Sequence, residues 1–115
     1  MMYDTHTKVY LLLGSLIGCE QATATFVARV MKIKVESLSF DLTAVRDERG
    51  ALSLPISQIP PVPSRLTSVT GSVLVKTTAS QKEVEELGHQ VHHRCPIANM
   101  MALSGCQVNI EWKKA

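Results

Sequence analysis

The sequence lacks a concentrated basic region and contains few aromatic residues. Its 12 Lys and Arg residues are nearly balanced by 10 Asp and Glu residues, and aromatic residues make up only 4% of the chain. Surfaces that bind nucleic acid usually combine a basic stripe or patch with interleaved aromatic side chains. Because the basic residues here are scattered, we expect no nucleic-acid partner.

Cysteine is also scarce, and glycine-rich motifs are missing. The three cysteines are an odd number, and their spacing differs from the small disulfide frameworks of secreted proteins. We therefore predict a cytoplasmic protein whose thiols have individual roles. The sequence contains no glycine-rich phosphate-binding loop and no internal repeat, and we expect no cofactor.

Length and composition suit a single domain over residues 1–115. The chain is 45% hydrophobic and 19% charged, as in an ordinary folded protein. A chain of this size buries roughly two thirds of the surface that its unfolded form exposes. Because the resulting core is small, a second subunit would add stability, and we expect a homodimer.

An apolar segment near the N-terminus allows two membrane-related interpretations. The run from Val9 to Cys19 is well short of the about 20 residues that a spanning helix needs, so we expect no membrane partner. Residues 16–19 (LIGC) match a bacterial lipoprotein cleavage box, in which Cys19 would carry a lipid. Asp4 before this run and the helical pattern after it make the lipoprotein a minor alternative.

A long helix followed by a strand is predicted for the first half of the chain. From Lys8 to Lys32 apolar positions recur at spacings of three, four and seven, which is typical of a helix with one buried stripe. The residues of this stripe are Leu12, Leu16, Cys19, Phe26 and Val30. Apolar and polar residues then alternate from about Val35 to Arg46, which predicts a half-buried strand.

The middle of the chain predicts a connection, a second strand and a second helix. Three prolines within residues 59–63 exclude a helix there. The alternating segment around Val69 to Val75 predicts a strand, which most simply pairs antiparallel with the first. Ser80 and Glu83 form a capping box, which opens a helix that should end near Arg94.

The end of the chain predicts a short helix and a last strand. Pro96 suits the first position of a helix that runs to Leu103, and Gly105 closes it. The alternation from Val108 to Trp112 predicts the strand. The order is therefore α-β-β-α-α-β, and we predict an α+β fold in which a long central helix and a C-terminal helix pair cover an antiparallel sheet.

Cys95 is the most informative cysteine, because it directly precedes a predicted helix. A thiol at this position faces unpaired backbone N–H groups and the positive end of the helix dipole, and both favour the thiolate. The alternative is a helix cap that happens to be cysteine. Cys19 lies inside its helix and, taken alone, is typical of a small core residue. Cys106 is expected to be a packing residue.

The histidines near Cys95 suggest a zinc site, which we consider the less favoured interpretation. The four candidate ligands are His89, His92, His93 and Cys95. His89 and His93 are one helical turn apart, but four ligands must converge, and the change of helix at Pro96 points Cys95 elsewhere. We expect solvated histidines and no metal.

Two motifs, together with the order of the elements, resemble the OsmC/Ohr family of thiol-dependent peroxidases. Residues 10–19 (YLLLGSLIGC) are similar to the family's first cysteine helix, in which leucines and small residues precede Gly and Cys. Residues 95–99 (CPIAN) are similar to its second motif, a Cys-Pro-Val/Ile step before a short helix. The resemblance covers nearly the whole chain.

The resemblance implies that Cys19 and Cys95 meet in the fold and reduce organic hydroperoxides. Cys19 would be the peroxidatic residue that becomes a sulfenic acid, and Cys95 would resolve it by forming a Cys19–Cys95 disulfide. A dithiol, such as a lipoyl group, would then reduce the disulfide. Family members are typically intertwined homodimers whose active sites lie at the subunit interface.

The chain departs from the family pattern in its first part. Family members have strands before the cysteine helix, and one strand supplies an arginine that ionises the first thiol. This chain starts almost at the helix, so we expect an N-terminally short domain, and Val9 and Tyr10 stand where the family has a carboxylate. These departures favour a second hypothesis, a diverged non-enzymatic OsmC-like domain used for binding or dimerisation.

Overall fold

The structure, a computed structural model, describes the backbone of residues 7–115 and the side chains of residues 9–115. The seven elements are α1 (Thr7–Met31), β1 (Val35–Arg46), α2 (Glu48–Ala51), β2 (Leu66–Thr77), α3 (Gln81–Arg94), α4 (Pro96–Leu103) and β3 (Gln107–Lys114). The α+β fold and the order of the six predicted elements are confirmed. The single-turn helix α2 was not predicted; it begins where the side chain of Asp47 accepts a hydrogen bond from the backbone N–H of Arg49.

The predicted capping signals lie where the helices begin. The Ser80 side chain accepts a hydrogen bond from the Glu83 N–H, and the Glu83 carboxylate accepts one from the Ser80 N–H. These reciprocal bonds satisfy two backbone donors and fix the start of α3. Pro96 occupies the first turn of α4, as predicted.

The sheet has the order β1-β2-β3 and is mixed, so the prediction of an antiparallel sheet is only partly correct. β1 and β2 are antiparallel, with Leu42 opposite Gly71, whereas β2 and β3 are parallel, with Val73 opposite Trp112. Two helices, α3 and α4, lie between β2 and β3. A crossover of this length carries the chain back across the sheet, so that the next strand runs in the same direction as the last.

The buried face of α1 differs from the predicted stripe. The buried residues are Leu16, Glu20, Ala24, Val27 and Ala28. Phe26 and Val30 are instead 54% and 67% exposed. Apolar residues surround much of this helix, so periodicity alone did not select a face. The face with two alanines allows the closest approach to α3, because small side chains let helix backbones come together.

Two buried clusters form the core. In the first, α1 packs with Val84, Leu87 and Val91 of α3 and with Trp112 of β3. Gly88 allows this packing, because a Cβ atom there would overlap the Trp112 side chain. The second cluster contains Leu16, Val69, Cys95, Ala98, Met101 and Cys106, with Cys19 half-buried against it.

Helix α1 is long and apolar enough, by length and composition, to cross a membrane. Its span Val9–Met31 reaches a mean hydropathy of 1.4, and 28% of that segment is buried inside the domain. The apolar segment therefore continues to Met31 and does not end at Cys19. The expectation of no membrane partner is not overturned, because the core helix of a folded domain passes the same test of length and composition. The face of α1 that includes Ala24 and Val27 packs on α3 and the sheet, as the core helix of a folded domain does.

Candidate active site

Cys95 lies at the junction of α3 and α4 and caps both helices. Its backbone N–H donates to the Val91 carbonyl at 2.9 Å, and its carbonyl accepts from the Asn99 N–H at 3.1 Å. Its Sγ accepts a hydrogen bond from the Ala98 N–H at 3.5 Å. The side chain is completely buried. The break predicted at this position therefore places the thiol inside the second cluster.

Cys19 is contributed by the middle of α1 and lies directly beside Cys95. The two Sγ atoms are 3.1 Å apart, although 76 residues separate the two cysteines. Both thiols are free, and Cys19 is half-buried whereas Cys95 is buried. A disulfide bond measures about 2.0 Å, so the two sulfurs need to approach by only about 1 Å to bond. The structure thus brings together the two residues singled out in the sequence.

Burial raises the pKa of the Cys95 thiol to about 12. The hydrogen bond from the Ala98 N–H lowers this pKa, while interactions with Cys19 and Glu20 add to the increase. The expectation that the start of α4 favours the Cys95 thiolate is therefore wrong, because desolvation outweighs the helix terminus. No cation contributes to this shift among the residues that the structure describes.

Glu20 is a feature of the site that the sequence analysis missed. Only 2% of this residue is exposed, and its Oε2 has no hydrogen-bond partner within residues 9–115. Burial raises its pKa to about 7, while hydrogen bonding with the Cys95 thiol acts in the opposite direction. Sequence spacing could have identified this residue. Glu20 lies four residues after Leu16 and four before Ala24, which places its carboxyl on the buried face of α1.

A groove between α3 and β3 leads to Glu20. Its volume is about 490 Å³, and its lining includes Glu20, His89, His92, Ile110 and Trp112. Glu20 belongs to α1, whereas the other lining residues belong to α3 and β3. Glu20 therefore lines this groove although only 2% of the residue is exposed.

The remaining candidate residues are Cys106 and the histidines of α3. Cys106 is buried in the second cluster, where its Sγ is 3.8 Å from the Gln107 carbonyl oxygen, as suits a packing residue. His89 and His93 are exposed, and their Nε2 atoms are 3.2 Å apart. In the part of the chain that the structure describes, no group of three or more His, Cys, Asp or Glu residues is arranged to hold a metal ion.

The fold and the site define a small α+β protein in which a core helix and a helix junction bring two free cysteines together. Residues 9–111 match the sequence family described as OsmC-like protein. The chain therefore belongs to the OsmC-like, or OsmC/Ohr, family. No curated protein matched the sequence of the chain.

Solved structures show the same fold. An OsmC-like protein from Mycoplasma pneumoniae has a TM-score of 0.75 and 23% identity, with 98% of this chain and 78% of that chain covered. An organic hydroperoxide resistance protein OsmC from Legionella pneumophila has a TM-score of 0.68 and 22% identity, with 89% of this chain and 65% of that chain covered. The organic hydroperoxide resistance protein OhrB of Bacillus subtilis has a TM-score of 0.64 and 18% identity, with 97% of this chain and 73% of that chain covered. The chain thus spans less than two thirds of the Legionella protein.

Proposed function

We propose that this protein is a thiol-dependent peroxidase that reduces organic hydroperoxides through Cys19 and Cys95. The observation that carries the proposal is the 3.1 Å distance between the two sulfur atoms in a reduced site. Family membership and the names of the Legionella and Bacillus structural relatives support the same substrate class. The difference in burial supports the assignment of roles, since a peroxide reaches the half-buried Cys19 before the buried Cys95.

The reaction has three steps. The Cys19 thiolate attacks the O–O bond of the hydroperoxide, which leaves Cys19 as a sulfenic acid and, after uptake of a proton, releases an alcohol. Cys95 then attacks the Cys19 sulfur, so that the S–O bond breaks, the S–S bond forms and water leaves. A dithiol of the lipoyl type reduces the disulfide by two thiol–disulfide exchanges and restores both thiols. The proposed setting is a cytoplasmic homodimer.

Mapping the oxidised protein tests this proposal. After treatment with one equivalent of an organic hydroperoxide, peptide mapping should show a Cys19–Cys95 disulfide and a free Cys106. In Cys95→Ser the Cys19 sulfenic acid should persist and be captured by a sulfenate-specific reagent, because no thiol is left beside it. Cys106→Ser is the matched control and should form the disulfide as the unmodified protein does.

The alternative, a non-enzymatic OsmC-like domain used for binding or dimerisation, is favoured by one observation. No cation among the described residues lowers the pKa of Cys95, which burial raises to about 12, so the thiol that would have to resolve the sulfenic acid is poorly ionised. If this alternative holds, hydroperoxide treatment should leave all three cysteines reduced while dimerisation is unaffected. Disulfide formation between Cys19 and Cys106 would instead remove the resolving role from Cys95.

The lipoprotein alternative conflicts with the packing of α1. Lipidation would place Cys19 at a processed N-terminus and remove Leu16, which is completely buried in the second cluster. Intact-mass analysis of the protein from its native host distinguishes the two, since only the lipoprotein would lack residues 1–18 and carry acyl chains.

A further inference from the structure

The carboxyl of Glu20 has no role in the three steps above, yet it interacts with the Cys95 thiol, which must lose a proton. We propose that Glu20 is the proton acceptor for the Cys95 thiol when Cys95 attacks the oxidised Cys19 sulfur. This role rests on the proposed cysteine chemistry and extends it to a residue that no family motif identified. Three observations support it: burial, an unpartnered carboxyl oxygen and the groove.

Cys95 needs a base at the moment of attack. Burial raises its thiol pKa to about 12, so the thiolate is a very minor species at neutral pH. Thiol–disulfide chemistry proceeds through the thiolate, and a positioned base that removes the proton during attack can replace prior ionisation. Of the carboxylates within residues 9–115, Glu20 is the one that acts on the Cys95 thiol.

The surroundings of Glu20 suit a group that exchanges protons. Its Oε2 is buried and has no hydrogen-bond partner among residues 9–115, which is costly for a carboxyl kept only for packing. Burial brings its pKa to about 7, where a carboxylate is present at neutral pH and is more basic than an exposed glutamate. The groove between α3 and β3 gives the proton a route to solvent.

Atoms and electrons balance in this step. The Cys95 sulfur bonds to the Cys19 sulfur, the Cys95 proton passes to the Glu20 carboxylate, and the S–O bond of the sulfenic acid breaks. The departing hydroxide takes a proton from solvent and leaves as water, and Glu20 returns its proton to solvent through the groove. No further oxidant or reductant is needed.

An aromatic disulfide tests this step without any hydroperoxide. Dithiobis(nitrobenzoate) should react first with the half-buried Cys19, which releases one thionitrobenzoate and leaves the other in a mixed disulfide with Cys19. Attack by Cys95 then forms the Cys19–Cys95 disulfide and releases the coloured thionitrobenzoate, whose rate of appearance is measured. The assay uses the Cys106→Ser protein, so that Cys106 cannot react with the reagent. Adding Cys95→Ser to this protein shows which part of the thionitrobenzoate release depends on Cys95.

We expect Glu20→Gln to slow this second release by about 100-fold at neutral pH, within the range for loss of a general base. In the protein with Glu20 the rate should rise about tenfold per pH unit below about pH 7 and then level off, because the carboxylate is the active form. Glu20→Gln should lack this inflection. Glu86→Gln removes a carboxylate of α3 outside the groove and should leave rate and profile unchanged.

The pH profile must be assigned among the groups that face Glu20. These are the thiols of Cys19 and Cys95, Glu85, His89 and His92 of α3, and Glu111 and Lys113 of β3. A His89→Gln, His92→Gln double variant that keeps the inflection assigns it to Glu20, whereas loss of the inflection in that variant overturns the assignment.

Equal rates and equal pH profiles for Glu20→Gln and the unaltered protein would overturn the proposal. If Glu20→Gln does not fold, the pH dependence of the second release is measured in the protein that keeps Glu20. The absence of an inflection between about pH 6 and 8 would then be incompatible with Glu20 as the proton acceptor. A protein that fails to reduce hydroperoxides but shows the Glu20-dependent release would contradict the peroxidase proposal alone, so the two can fail separately.

Discussion

At the scale of single residues, burial controls the chemistry of this site more than helix position does. Cys95 caps α4 and accepts a hydrogen bond from Ala98, yet its thiol pKa is raised. The same desolvation acts on Glu20 and favours its neutral form. Two adjacent groups are thus shifted towards their protonated forms, and a reaction at Cys95 must move a proton.

The raised pKa of Glu20 makes stability depend on pH. Between about pH 4.5 and 7 the unfolded chain loses the Glu20 proton while the folded protein keeps it. The free energy of unfolding should therefore fall as pH rises through this window, by about 3 kcal/mol for this residue. Urea unfolding at about pH 4 and about pH 8 measures the change, and Glu20→Gln should lack this component.

The difference between the two proteins isolates Glu20 from other titrating groups, because those groups are the same in both. A pH dependence that is identical in Glu20→Gln and in the unaltered protein would mean that Glu20 does not carry a buried proton. Glu86→Gln should retain the full decrease, since Glu86 is exposed and its carboxylate accepts a hydrogen bond from the Gln90 side chain on the surface of α3.

At the scale of elements, the close contact of α3 with β3 forms one wall of the core and sets the groove. Gly88 lies against the Trp112 side chain, and an added Cβ would overlap the indole. Gly88→Ala should therefore destabilise the protein by about 1–3 kcal/mol, although alanine is the better helix former. Denaturant unfolding at one pH measures this loss.

Gly14→Ala is the matched control in α1. No atom lies within 4 Å of the position that its Cβ would take, and the residue is exposed. This substitution should stabilise the protein by about 0.5–1 kcal/mol, through helix propensity alone. If both substitutions were stabilising, the close packing of α3 on Trp112 would be contradicted.

At the scale of the whole molecule, the single chain exposes more surface than a compact monomer of its size, and large hydrophobic side chains are part of that surface. Its accessible surface is 7632 Å², whereas a compact monomer of 12.6 kDa exposes about 6,200 Å². Its radius of gyration is 16.5 Å, against about 13 Å for a compact chain of this length. Leu12, Phe26 and Val30 lie on the same exposed face of α1 as Cys19, at spacings of seven and four.

We therefore predict a homodimer that covers this face of α1 and the rim of the cysteine site. Phe26→Glu should shift the protein to 12.6 kDa monomers at micromolar concentration, because a charge cannot be buried there without a partner. Light scattering measures the mass. Leu103→Glu, a change at an equally apolar and 88% exposed residue of α4, should leave the dimer intact. A monomeric unaltered protein would contradict the prediction.

Local sequence signals determined where most elements begin and end. The capping box at Ser80 and the proline at position 96 fix helix starts through bonds within a few residues, and both lie where predicted. Alternation predicted β1 with the bounds Val35 and Arg46 that the structure has. The two cysteines were also found in advance, because each belongs to a short motif.

Only the tertiary structure decided the direction of β3, the buried face of α1 and the ionisation of the site. The direction of β3 depends on how α3 and α4 cross the sheet between β2 and β3. The sequence predicts the two helices but does not predict the path that they take across the sheet. Apolar residues surround α1, so the choice of face depends on which side allows α3 to come close. Glu20 and Cys95 have unusual pKa values because distant segments exclude water from them, and no local pattern encodes that exclusion.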